Sequence, residues 1–187
     1  YFSVFANGGK SIQPFFIEKI LKTGKEVQFL ENQKTNENFI ESWIGKKLPK
    51  EEIFTIDPRV SYIINDILLE ATRRGTGKKI QSLKRDDFAG KTGTTNDAES
   101  TWFTGFNKNI LTTVWFGYDQ PSTLGNKEFG SSTALPIWLD YMEDIIDDVE
   151  YGIQTRPSGL IAKKISLSDG MPANPGDSKT MFELFLD

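Results

Sequence analysis

Between Phe88 and Tyr118 the chain reads as three strands in immediate succession. The runs are Phe88 to Thr94, Ser100 to Phe106 and Ile110 to Tyr118, separated by polar turns at Asn96-Asp97 and Asn107-Lys108-Asn109. Connections this short join strands only as antiparallel neighbours, because a parallel pair needs a crossover of about a dozen residues or more. The chain is therefore expected to build an antiparallel meander of three strands, and other elements must cover its faces.

Two helical patterns can supply that cover. Asp57-Pro58 offers an N-cap followed by proline at the first helical position. Behind it Val60, Ile63, Ile64, Ile67, Leu68 and Ala71 recur at intervals of three and four, which predicts a helix with one apolar stripe turned to the core. Gly75-Thr76-Gly77 ends it. Ala134-Leu135-Pro136 opens a second helix running to about Val149, with Trp138, Tyr141, Met142, Ile145 and Ile146 apolar.

The remaining segments are weaker. The opening "YFSVFANGG" reads as the last turn of a helix ended by Gly8-Gly9. Residues 12–21 and 26–30 flank Lys22-Thr23-Gly24-Lys25 as a hairpin. In the polar stretch 31–56, Phe39, Ile40, Trp43 and Ile44 are anchors for a short helix. Beyond Gly152 the chain is rich in Pro, Gly and Ser, with strands expected at Ile161–Ile165 and Phe182–Leu186. Residues 1–150 are taken as the body of the domain and 151–187 as a C-terminal tail packing on it. The order of elements predicts an α+β fold, not alternating βαβ units.

Composition narrows the chemistry. A chain of 187 residues fits one domain or a large piece of one, and can bury a core without staples. It has no cysteine and no histidine, so thiolate catalysis, Cys-ligated zinc and a Ser-His pair are all excluded. No metal or other cofactor is expected. A formal charge of -4 argues against nucleic acid as a partner, since phosphate binding needs a concentrated basic surface. Any catalysis must rest on Lys, Ser, Thr, Tyr or carboxylates. The longest apolar run, Ile110 to Tyr118, is far short of the roughly 20 residues of a membrane span, and residues 1–20 lack a signal-peptide pattern. The abrupt start without Met is read as that of a fragment.

The first strand contains Gly90-Lys91-Thr92-Gly93-Thr94-Thr95, which two chemistries could claim. A phosphate-binding loop needs glycine five residues before its Gly-Lys-Thr and a helix after it. Arg85 stands where that glycine belongs, and Gly93-Thr94-Thr95 leads into a turn, so both requirements fail. A strand reading sends Lys91 and Gly93 to one face and Thr92 and Thr94 to the other. Threonine hydroxyls beside an ammonium suit a carboxylate, and free N–H groups of an edge strand suit a developing oxyanion.

The surroundings favour the second chemistry. "FANGG" at 5–9, "GTG" at 75–77, "AGKTGTTND" at 89–97, "WFTGF" at 102–106, "VWFGYD" at 114–119 and "STALPIW" at 132–138 occur in that order, followed by "RPSGLIAKKISLSDGMPANPG" at 156–176. Together they resemble the C-terminal part of the transpeptidase domain of class A (bifunctional) penicillin-binding proteins. The Lys-Thr-Gly triplet is one of three motifs shared by serine transpeptidases and β-lactamases.

The resemblance implies an incomplete domain of the serine transpeptidase/β-lactamase-like fold. It implies a peptidoglycan DD-transpeptidase that cross-links D-Ala-D-Ala stem peptides through a serine acyl-enzyme, with β-lactams acylating the same serine. Lys91 would supply positive charge, Thr92 and Thr94 would hold the terminal carboxylate, and the Thr94 N–H would form half of the oxyanion hole. Gly93 and Thr95 complete the substrate-binding set, while Trp102 and Phe103 are read as sheet packing against a helix. Thr76 borders the cleft without a direct role. A glycosyltransferase domain and membrane anchor would lie upstream, placing the protein on the periplasmic face of the inner membrane.

The family's other two motifs do not occur in these residues. No serine has Lys three positions later, and none has Asn two positions later. The nucleophile is expected upstream, in the other half of the same domain, and this chain alone is expected to be inactive. The alternative is a non-catalytic binding or sensor module of the same fold.

Overall fold

A computed structural model describes residues 2–10, 12, 20–23, 25–27 and 56–187. Two compact units emerge, one of residues 1–10 with 55–187 and one of residues 11–54. In the smaller unit, strands β1 (Ile20–Lys22) and β2 (Lys25–Val27) pair antiparallel with Ile20 opposite Val27 and Lys22 opposite Lys25. This is the hairpin predicted around Thr23. The rest of the 12–30 prediction and the short helix expected at Phe39–Ile44 lie outside the described residues.

The larger unit is built on the expected meander. Strands β3 (Ala89–Thr94), β4 (Ser100–Phe106) and β5 (Leu111–Gly117) form a three-stranded antiparallel sheet in that order. Lys91 lies opposite Thr104, Thr94 opposite Thr101, and Trp102 opposite Trp115. Asn107 makes the second turn by accepting the N–H groups of Asn109 and Ile110 on its side-chain oxygen, a local side-chain mimic of backbone pairing.

Helices cover both faces. On one, Phe103 and Phe88 meet Trp138 edge-on, with ring centroids 5.3 and 5.6 Å apart. Trp138 belongs to helix α3 (Ala134–Ile145), whose buried Ala134, Leu135, Leu139 and Met142 complete this core with Ile80. The helix ends four residues before Val149, where Ile146–Asp148 tightens into a 3₁₀ turn. Pro136 falls in its first turn, where a missing N–H costs nothing.

On the other face, helices α1 (Phe2–Ala6) and α2 (Pro58–Arg73) bury Ala6, Leu68 and Leu69 against Ala89 and Phe106. Gly8 and Gly9 end α1 with φ of 79° and 99°, conformations that cost other residues more. The α2 cap forms as predicted: the Asp57 carboxylate accepts from the Arg59 N–H at 2.8 Å and pairs with the Arg59 side chain.

The predicted stripe of α2 is corrected by the structure. Its buried face is Ser61, Asn65, Leu68, Leu69 and Thr72, while Val60 and Ile67 are 37% and 51% exposed. The small polar residues can be buried because they find backbone acceptors. Ser61 Oγ donates to the Val4 carbonyl at 3.2 Å, and Thr72 Oγ1 lies 2.7 Å from the carbonyls of both Leu69 and Phe88.

After α3 the chain returns as an antiparallel hairpin of β6 (Leu160–Ser166) and β7 (Thr180–Leu186), a sheet of its own. Both strands are longer than the sequence predicts. No helix among the described residues is long and apolar enough to cross a membrane.

Candidate active site on the edge of the sheet

The Gly-Lys-Thr-Gly run lies within β3, so it is a strand and not a phosphate loop. Arg85, the residue that breaks the loop pattern, is engaged elsewhere with Asp87. Among the described residues β3 pairs only with β4, which leaves its other side as an open edge. The Thr95 N–H donates to the Ser100 carbonyl at 3.0 Å. Backbone groups alternate along a strand, so the N–H groups of Thr94 and Thr92 point away from β4 toward that edge.

Side chains follow the predicted alternation. Thr92 and Thr94 lie opposite Phe103 and Thr101, on the face that α3 covers. Lys91 lies opposite Thr104, on the face of the exposed indoles Trp102 and Trp115, each 44% exposed with centroids 6.3 Å apart. The pairing assigned to Trp102 and Phe103 thus holds for Phe103 alone. Trp102 is turned to the opposite face from α3 and packs across the strands against Trp115, the rings tilted by 58°.

Each threonine hydroxyl is held by a separate loop. Thr76, from the turn after α2, shares a hydrogen bond with Thr92, Oγ1 to Oγ1 at 2.8 Å. The Gly130 N–H, from the loop leading into α3, donates to Thr94 Oγ1 at 3.2 Å. Thr95 uses its hydroxyl to close the β3–β4 connection, accepting the Ser100 N–H at 2.9 Å. The Lys91 ammonium is exposed and donates to the Thr92 carbonyl at 2.9 Å. The arrangement is one polar edge: two oriented hydroxyls on one face of β3, a lysine on the opposite face, and outward N–H groups between them. A groove of about 680 Å³, lined by Arg73, Lys78, Lys79, Gln81, Ser82 and Leu139, contains no residue of β3.

A further cluster braces the strand's base. Arg85 makes a two-point ion pair with Asp87, which also accepts from Asn107 Nδ2 and the Gly152 N–H, each at 2.9 Å. Burial alone would raise the Asp87 pKa. The hydrogen bonds from Arg85, Gly152 and Asn107 outweigh it and hold the carboxyl below its usual range. Sequence reading passed over this cluster and over Gly130. Their only signals are an acidic residue before a strand and a glycine in a loop.

Comparison with known proteins decides the family. The family described as penicillin binding protein transpeptidase domain matches residues 1–143. The chain belongs to the penicillin-binding protein transpeptidase family. Among its relatives, "Penicillin-binding protein 1A" of Pseudomonas aeruginosa is 35% identical over 98% of this chain and 26% of its own length. The protein of the same name from Neisseria lactamica is 34% identical over 94% of this chain and 19% of its own. The crystal structure of penicillin-binding protein 1A from Haemophilus influenzae superposes with a TM-score of 0.75 at 27% identity, covering 97% of this chain and 30% of that one. The chain therefore spans about a fifth to a quarter of the length of the curated relatives it matches. In this transpeptidase family member the α+β arrangement, with an antiparallel sheet between helices, agrees with the fold expected from sequence.

Proposed function

We propose that this chain forms the substrate-clamping wall of a serine-type peptidoglycan DD-transpeptidase whose nucleophile is contributed by a segment outside these 187 residues. The observation that carries the reading is the placement of Thr92 and Thr94 on one face of an edge strand, with the Thr94 N–H turned outward. A stem peptide ending in D-Ala-D-Ala presents a carboxylate beside the amide to be broken. The two hydroxyls suit that carboxylate, and the outward N–H suits the oxygen that becomes negative when the amide carbon is attacked.

The steps follow from that clamp. A serine hydroxyl loses its proton to a base and its oxygen bonds to the amide carbon. The C–N bond breaks, and terminal D-Ala leaves as an amine after taking a proton. The amine of a second stem then attacks the ester and releases the serine, leaving a new amide cross-link. Lys91 contributes positive charge to the serine's surroundings. Gly93, without a side chain, allows the close approach of Trp102 on one face and of the Gly130 backbone on the other, which sets the shape of the strand that receives the substrate. Thr95 serves through the turn it closes. A β-lactam enters as a mimic whose strained amide is opened by the same serine.

Membership of the family, the order of the motifs and the open edge of β3 support this reading. The body of the domain is residues 1–150, with 151–187 as its C-terminal tail, and a membrane anchor upstream would hold the protein at the periplasmic face of the inner membrane. The upstream half of the domain is the implied partner. The test is acylation of the longer protein by benzylpenicillin in stopped flow. Lys91→Ala is expected to slow acylation about a hundredfold or more, and Thr94→Val about ten- to a hundredfold. Rates equal to wild type would remove both residues from the site.

A further inference from the structure

Gly130 uses both of its backbone groups to join β3 to α3. Its N–H donates to Thr94 Oγ1 at 3.2 Å, and its carbonyl accepts from the Leu135 N–H at 2.8 Å. The residue sits on the strand so closely that a Cβ there would lie 2.5 Å from the Trp102 carbonyl oxygen and 2.7 Å from that of Gly93. No side chain fits that gap, and both obstructions are backbone. The loop is tied down just beyond Gly130 at two points. Lys79 Nζ donates to the Ser131 carbonyl at 3.0 Å, and Thr133 Oγ1 lies 2.6 Å from Thr101 Oγ1, on the residue paired with Thr94.

A threonine hydroxyl carries one proton and two acceptor sites. An N–H can only donate, so the contact with Gly130 takes an acceptor site of Thr94 and forbids its proton from pointing there. Among the described residues that proton has no other acceptor. We infer that Gly130 is a positioning residue: it presets the Thr94 hydroxyl as a donor to the carboxylate of the incoming stem peptide or β-lactam. The inference rests on the function proposed above and adds the device that makes the clamp selective for a negatively charged group. A hydroxyl free to rotate would accept from neutral ligands as readily as it donates to charged ones.

The experiment compares acylation of the longer protein by benzylpenicillin and by its neutral methyl ester. Wild type is expected to prefer the acid. Gly130→Ala presses on the Gly93–Thr94 peptide and is expected to slow both compounds, the acid roughly tenfold more than the ester. Thr94→Val should likewise lower the preference for the acid, Thr94→Ser should restore it, and the double variant should show no less preference than Thr94→Val. Equal losses for acid and ester, or no loss, would overturn the inference. A second measurement covers a Gly130→Ala protein that does not fold. The Gly130 amide, followed by NMR hydrogen exchange, should exchange faster in Thr94→Val and regain protection in Thr94→Ser. An amide indifferent to both changes would also overturn it. If wild type reacts with neither compound, the proposed function fails, while the amide measurement still judges the contact.

Discussion

Arg85 grips Asp87 at two points, Nε to Oδ1 at 2.8 Å and an η nitrogen to Oδ2 at 2.7 Å, with the Asp87 side chain sealed from solvent. The pair lies just before β3 and ties three distant segments together. Asn107 reaches it from the β4–β5 turn, Gly152 from the chain leaving α3, and Arg85 donates onward to the Val149 carbonyl at 2.9 Å. The Arg85 guanidinium also stacks near the rings of Phe88 and Tyr151, at 5.2 and 5.3 Å. Asp87→Ala would leave a mostly buried guanidinium without its counter-ion, and is expected to cost about 3–5 kcal/mol of stability. Urea unfolding monitored by tryptophan fluorescence measures it. A loss below about 1 kcal/mol, the scale of a surface pair, would contradict the bracing role.

The same pair makes stability depend on pH. The Asp87 pKa is lower in the folded protein than in the unfolded chain. Its contribution is therefore fully present above the unfolded carboxylate value of about 3.9, and is lost as pH falls through the folded value. Asp66 works in the opposite sense: burial, then the nearby Glu70 charge, raises its pKa, so acidification relieves a cost there. Comparing wild type with Asp87→Asn isolates Asp87. The stability advantage of wild type over the variant should be constant above about pH 5 and shrink toward pH 3. Urea midpoints that fall in parallel would refute the linkage.

Among the described residues Thr76 bears on the site through Thr92, hydroxyl to hydroxyl at 2.8 Å. Thr76→Val in the longer protein is expected to slow penicillin acylation about two- to tenfold, the scale of one neutral hydrogen bond, and Thr76→Ser should recover it. A hundredfold loss would instead mean that Thr76 touches the substrate. No effect would mean that the Thr76–Thr92 bond does not matter to the clamp.

How much of this was legible in the sequence follows from where the contacts run. The meander was readable because the turns at Asn96-Asp97 and Asn107-Lys108-Asn109 interrupt the strands locally. The faces on which Lys91, Thr92 and Thr94 lie were readable because alternation on a strand is a local rule. The face of α2 was misread because hydropathy counts Ser61 and Thr72 as polar, whereas their hydroxyls reach the carbonyls of Val4, Leu69 and Phe88 and can be buried. Trp102 was misplaced because an aromatic beside a buried Phe103 must point to the other face, and that face is open at this end of the sheet. Gly130 meets Thr94 across 36 residues and Asp87 meets Gly152 across 65, distances at which one sequence carries no pairing signal.

Under the proposed function these residues hold a substrate which a serine outside them attacks. Intact-protein mass spectrometry after incubation with benzylpenicillin, followed by peptide mapping of any adduct, locates that serine. The 187-residue chain alone should gain no mass, since none of its serines has a lysine three positions on. The longer protein should gain one penicilloyl group, mapped to a serine outside residues 1–187. A stoichiometric adduct on this chain alone, or an adduct mapped to a serine within it, would contradict the account.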